Sequence, residues 1–157
     1  MSSVTNALGY IVPSQSFNNV ECVSVNNVEQ QFVLVGDTGD LTAAAIGTHA
    51  FNALGTAVAL QIPAGFEVYK SELRVVVAPT TGGASTISLG TNGAGNAAVF
   101  NTDEGVAQFT LTGNPQYGDV SAVFTNSATV NENVILTLAA DALTAGQLII
   151  YLSCRHA

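Results

Sequence analysis

The feature that most limits the fold is a period-two alternation of apolar side chains that recurs, with breaks, over most of the chain. Val58, Leu60 and Ile62 alternate, as do Leu73, Val75 and Val77, then Ile87 and Leu89, Phe109 and Leu111, Val134, Leu136 and Leu138, and finally Leu148, Ile150 and Leu152. A period of two puts every second side chain on one face of a pleated strand, so each run reads as a half-buried β-strand. Between the runs stand turn segments: "PAG", "GTNGAGN", "NTDEG", "GNPQYGD", "TNSATVNEN" and "DALTAG". Short strands separated by turns specify an all-β sandwich or barrel, and the lack of helical periodicity between them argues against a parallel α/β sheet. The expectation is an all-β, single-domain antiparallel β-sandwich or barrel, jelly-roll-like, in a chain of 157 residues, the size of one domain.

Two regions depart from this rhythm. Residues 1–19, "MSSVTNALGYIVPSQSFNN", are polar and aperiodic, and predict an extended N-terminal arm without a strand of its own, ahead of a β-sandwich domain over 20–157. The stretch "DLTAAAIGTHAFNALG" is the only candidate helix, with Asp40 as N-cap and Gly55 as stop; it reads as one short helix or an irregular loop. In "QFVLVG", Phe32 and Leu34 occupy one face and Val33 and Val35 the other. Apolar residues on both faces suit a strand covered on both sides.

Composition narrows the function. Charged residues make up only 9% of the chain, against roughly 25% in an average soluble domain. Neutral polar residues take their place, a surface suited to lying against neighbours. Three basic residues, Lys70, Arg74 and Arg155, face eleven acidic ones, for a net charge of -8. Phosphate contacts need clustered Lys and Arg, so no direct nucleic acid binding and no membrane docking are expected. Apolar runs such as Val75 to Ala78 fall far short of the roughly 18 to 20 residues of a membrane-spanning helix, and the N-terminus does not read as a secretory signal. Cys22 and Cys154 sit near opposite ends with no metal or redox spacing; two reduced, packed thiols are expected, and a bridge from first strand to last is the alternative.

Gly93-Ala94-Gly95-Asn96-Ala97-Ala98 fits the letters of a dinucleotide-binding turn. That motif works only between a buried strand and a long helix whose N-terminus meets the pyrophosphate. Here the preceding "STISL" alternates and "NAAVFNTDEG" is too short to supply the helix, so Asn92-Gly93 reads instead as a type I′ hairpin turn. The only histidines, His49 and His156, have no nucleophile or metal partner at useful spacing. "GDTGD" and "NTDEG" offer oxygen ligands but not the EF-hand spacing, and read as Asx-rich turns with calcium as the alternative. In "FEVYKSELR", Lys70, Glu72 and Arg74 share one strand face, with Glu67, Tyr69, Leu73 and Val75 on the other. No catalytic, cofactor-binding or metal site residues are assigned, and no cofactor.

The segment "LQIPAGFEVYKSELRVVVAPTTGGASTISLGTNGAG" and the ending "ALTAGQLIIYLSC" resemble the capsid decoration, or cement, proteins of tailed bacteriophages. The resemblance lies in an apolar strand, a Pro-Ala-Gly turn, a long alternating strand, an "SLGT" segment and a "LTAG" turn into the last strand. It implies a non-enzymatic virion protein on the outside of an icosahedral head, assembled in the host cytoplasm. The implied partners are the major capsid protein and further copies in a homo-oligomer, with a trimer favoured. The alternative is a fibre or head-surface module that binds a receptor or glycan, with Asn114, Tyr117 and Asp119 in its loops. A small β-barrel hydrolase is the third reading.

Overall fold

The computed structural model describes residues 2–5, 11–14, 21–25, 29–111, 116–117, 123–126 and 129–157, with side chains from 31 onward except at 102–103 and 116–117. The strands are β1 (Ser2–Thr5), β2 (Ile11–Ser14), β3 (Glu21–Val25), β4 (Glu29–Asp37), β5 (Gly47–Ala50), β6 (Asn52–Ala53) and β7 (Gln61–Ile62). They continue with β8 (Phe66–Thr81), β9 (Thr86–Thr91), β10 (Asn101–Gly105), β11 (Gln116–Tyr117), β12 (Phe124–Thr125), β13 (Glu132–Ala139) and β14 (Leu143–His156). They form a large antiparallel sheet in the order β11-β8-β14-β4-β3, with β12 also on β8 and β6 also on β4. A smaller antiparallel sheet runs β10-β9-β13-β5, with β7 also on β13. Neither sheet closes into a barrel, so of the two expected architectures the sandwich is the one observed.

One apolar core lies between the sheets. The large sheet contributes Phe32, Leu34, Val68, Leu73, Val75, Leu148, Ile150 and Leu152, and the small sheet Ile87, Leu89, Val134, Leu136 and Leu138. Apart from Val68, these are apolar residues that the sequence places on one strand face, and burying each contributes about 1.5–3 kcal/mol. Two of the crossings between the sheets, after β8 and after β13, lie side by side. The buried Ser85 hydroxyl ties them together by donating to the carbonyls of Ala139 (2.7 Å) and Asp141 (2.9 Å).

Several expectations need correction. The Ala-rich stretch forms no helix: Ala43 sits at φ 62°, Leu41 N–H donates to the Gly146 carbonyl (2.8 Å), and β5 and β6 follow. Tertiary hydrogen-bond partners override alanine's helix preference here. Asp40 still caps its neighbour, accepting the Thr42 N–H at 2.8 Å, but as an Asx turn. "NTDEG" is strand β10, paired to β9, and no strand forms at Phe109 and Leu111: a 3-10 turn over Val106–Gln108 buries Phe109 and leaves Leu111 exposed. Val58 is exposed, ahead of a two-residue β7. Ser2–Thr5 and Ile11–Ser14 pair as an antiparallel ribbon, so the N-terminal segment does carry strands.

The alternative of a disulfide also meets a geometric objection. Cys22 and Cys154 are both in register with Phe32 of β4, from opposite sides. Two strand spacings separate their backbones by roughly 9–10 Å, beyond the ~7 Å limit for a bridge. Cys154 is a free, buried thiol, and burial pushes its pKa up to about 12.

Candidate assembly surface

The glycine stretch of the sequence becomes a wide connection between β9 and β10. Asn96 N–H donates to the Gly93 carbonyl (3.0 Å) around Gly95 at φ 79°. Positive φ at the third residue fits a type II turn over 93–96 rather than the expected type I′ turn at Asn92-Gly93. The Thr91 hydroxyl donates to the buried carboxylate of Glu132, and Asn96 Nδ2 donates to the same oxygen at 3.2 Å. Gly93 lies so close to this carboxylate that a Cβ there would collide with it. Glu132 thus holds the loop by charge-assisted hydrogen bonds. It is a structural acid that sequence reading missed, because Thr91 and Asn96 reach it only after β9 and β13 pair.

The other chemical candidates are engaged in local structure. Asp37 accepts the Gly39 N–H (2.7 Å) and both of its oxygens receive Gln147 Nε2. His49 Nε2 donates to the Ala45 carbonyl (2.7 Å), whereas the His156 ring packs edge-on to Phe66. The two histidines therefore stand on different elements and are not brought together. Among the described residues no cluster of three His, Cys, Asp or Glu side chains is arranged to hold a metal. Asn114 and Asp119 lie outside the described residues, as does the Tyr117 side chain.

What the fold does assemble is the outer face of the large sheet. On β14, Ile149, Tyr151, Ser153 and Arg155 alternate with core residues and point outward; on β4 the outward residues are Gln31, Val33 and Val35. On β8 two register shifts decide the outcome. Lys70 pairs with Ser153 and Val68 with Cys154, leaving Tyr69 as an extra residue; Val77 pairs with Gln147 and Val75 with Leu148, leaving Val76 extra. At each bulge two consecutive side chains face out. Tyr69 with Lys70 and Val76 with Val77 are therefore all exposed. The bulges also correct the expected division of "FEVYKSELR": Glu67, Tyr69, Lys70, Glu72 and Arg74 share the outer face, while Leu73 and Val75 are core, and Val77 is not.

This face holds all three basic residues. Lys70 Nζ lies 2.9 Å from Glu72, Arg155 Nε donates to Glu67, and the Arg155 guanidinium sits 5.4 Å over the Tyr69 ring. No carboxylate among the described residues pairs with Arg74, which is exposed. Val33 and Val35, which the sequence marked for cover on a second side, lie in the same patch, Val33 with 41% of its surface open. A strand that is apolar on both faces is here buried on one.

No protein-family model matches the chain, and no curated protein matches it in sequence. Solved structures do share its fold. A chain of the cyanophage Pam1 capsid asymmetric unit aligns over 98% of both chains, with a TM-score of 0.53 and 19% identity. A chain of the acidic stable capsid structure of Helicobacter pylori bacteriophage KHP30 aligns over 81% of this chain and 92% of its own, with a TM-score of 0.52 and 16% identity.

Proposed function

We propose that the chain is a structural protein of a phage virion, and within that class a capsid decoration (cement) protein that binds the outer surface of an icosahedral head and stabilises it. The observation that carries this reading is the near full-length agreement in fold with a chain of a phage capsid, 98% of each chain. The low charge content and the uncovered apolar face support it independently, since both suit a molecule whose surface is spent on contacts.

The mechanism follows from such contacts. A β-sandwich seated where shell subunits meet adds buried area across their joints, and anything that binds the assembled shell but not its separated subunits shifts the equilibrium toward the shell by mass action. The reading assigns no catalytic residue and no cofactor. Its partners are the major capsid protein and further copies of the chain, as a trimer, at the capsid surface after assembly in the host cytoplasm. We also keep the boundary at 19/20, with the preceding ribbon as an arm available to a neighbour.

Adding the purified chain to undecorated shells tests the proposal. Saturation of fixed surface sites, with a rise in the temperature at which the shells release their DNA, is the expected result. Failure to bind shells, together with binding on a glycan array, would replace it with the receptor-binding reading.

A further inference from the structure

Asn92-Gly93 is the only Asn-Gly pair in the sequence. In such a pair the glycine backbone nitrogen can close a ring on the asparagine side-chain carbon Cγ, and glycine, lacking a Cβ, leaves that nitrogen uncrowded. We propose that Asn92 is a self-modification site: the folded chain converts its side-chain amide to a succinimide, which water then opens to aspartate or isoaspartate. The inference does not depend on the virion reading above.

The fold surrounds this pair with the groups such a reaction uses. Gly93 N–H donates to Thr91 Oγ1 at 3.3 Å, and the Thr91 hydroxyl donates in turn to the Glu132 carboxylate; Thr91 and Glu132 are both buried. That chain is a proton path. As the Gly93 nitrogen attacks, its proton passes to Thr91 Oγ1 while the Thr91 proton passes to Glu132. Thr91 touches the reacting nitrogen, and Glu132 acts through it. On the other side, Asn92 Oδ1 accepts the Asn133 N–H at 2.7 Å, so a donor is already aimed at the oxygen where negative charge collects during attack. The donor is fixed in place, because Asn92 N–H donates back to the Asn133 carbonyl at 3.0 Å.

The atoms balance with water as the only co-reactant. The bond from Gly93 N to Asn92 Cγ forms and the Cγ–Nδ2 bond breaks; the proton held on Glu132 returns through solvent to Nδ2, which leaves as ammonia. Asn92 is exposed, so ammonia escapes and water enters. Water then breaks one of the two ring C–N bonds. Opening at Cγ gives aspartate, and opening at the backbone carbonyl gives isoaspartate, which reroutes the chain through the side chain. Either product adds a carboxylate to the loop that Glu132 anchors, and isoaspartate also displaces the partners of Asn133 at the end of β9. The change runs one way and begins only once β9 and β13 have paired.

Peptide mapping by mass spectrometry tests the proposal on the full chain, held at neutral pH in buffer and in urea. The folded chain is expected to lose the Asn92 amide roughly tenfold or more faster than the unfolded chain. Thr91→Val removes the hydroxyl, and Glu132→Gln keeps an oxygen that accepts from Thr91 but takes no proton. Both should bring the folded rate down to that of the unfolded chain, whereas Thr91→Ser should keep it. Amide exchange across 92–100 separates proton transfer from anchoring, since the Glu132→Gln loop should stay protected while its reaction slows. Should the variants not fold, the wild-type comparison decides alone. A folded chain that keeps its Asn92 amide as long as the unfolded chain does, or a Glu132→Gln chain with a protected loop that reacts at the wild-type rate, overturns the inference.

Discussion

The outer faces of the two sheets differ in a way their strands alone do not explain. On the small sheet, Ile135 points away from the core yet is buried within the single chain, at 7% exposure, and its register neighbour Gly90 lies directly against the backbone of Asn96 and Ala97. On the large sheet, Val33 also points away from the core and is 41% exposed. Among the described residues the chain covers Ile135 on one side and leaves Val33 open on the other, in a face that holds all three basic residues.

Matched substitutions probe this contrast. Ile135→Asp should be the most damaging, because it places an unpaired charge where the chain admits no water; a loss of about 3–5 kcal/mol, read from urea unfolding, is expected. Next is Gly90→Ala, whose Cβ would stand inside contact distance of the Asn96 carbonyl oxygen, a backbone atom that cannot swing aside. Thermal unfolding should report a cost of about 1–3 kcal/mol. Glu132→Ala removes the acceptor shared by Thr91 and Asn96, and should cost about 1–3 kcal/mol and speed amide exchange across 92–100. Val33→Asp, at an exposed position, should change monomer stability by no more than about 0.5 kcal/mol. If Ile135→Asp and Val33→Asp cost the same, the contrast between the faces is wrong.

The inner face of the large sheet adds a pH test. The buried Cys154 thiol has its pKa raised from 9.0 to about 12. Above pH 9 the unfolded chain loses this proton while the native chain keeps it, so this residue's contribution to stability is full below pH 9 and falls as the pH rises toward 12. The same burial predicts that Cys154 resists alkylation at pH 8 until the chain is unfolded, as peptide mapping would detect.

Much of this fold is legible in the sequence because burial on one side of a strand leaves a period-two trace: Ile87 and Leu89, Val134, Leu136 and Leu138, and Leu148, Ile150 and Leu152 are all core. The trace fails where pairing changes its phase. Val77 continues the Leu73 and Val75 rhythm in the sequence, but the bulge at Val76 turns it outward, and Tyr69 joins Lys70 through the other bulge. Local pattern also misplaces β10, which gains its strand hydrogen bonds from β9, and the Ala-rich segment, whose backbone partner at Gly146 lies far along the chain. The candidate surface was half visible. Val33 and Val35 signalled cover on a second side, but the meeting of Arg155 with Glu67 and Tyr69 depends on β14 lying beside β8, with Arg155 and Glu67 88 positions apart in sequence.

The central claim is that the outer face of the large sheet is covered by protein when the chain does its work. A three-dimensional map of the assembled particle tests this most directly. Density from a neighbouring chain over Val33, Arg74 and Tyr151 is the predicted result; a particle in which that face stands open to solvent while contacts form elsewhere would contradict it.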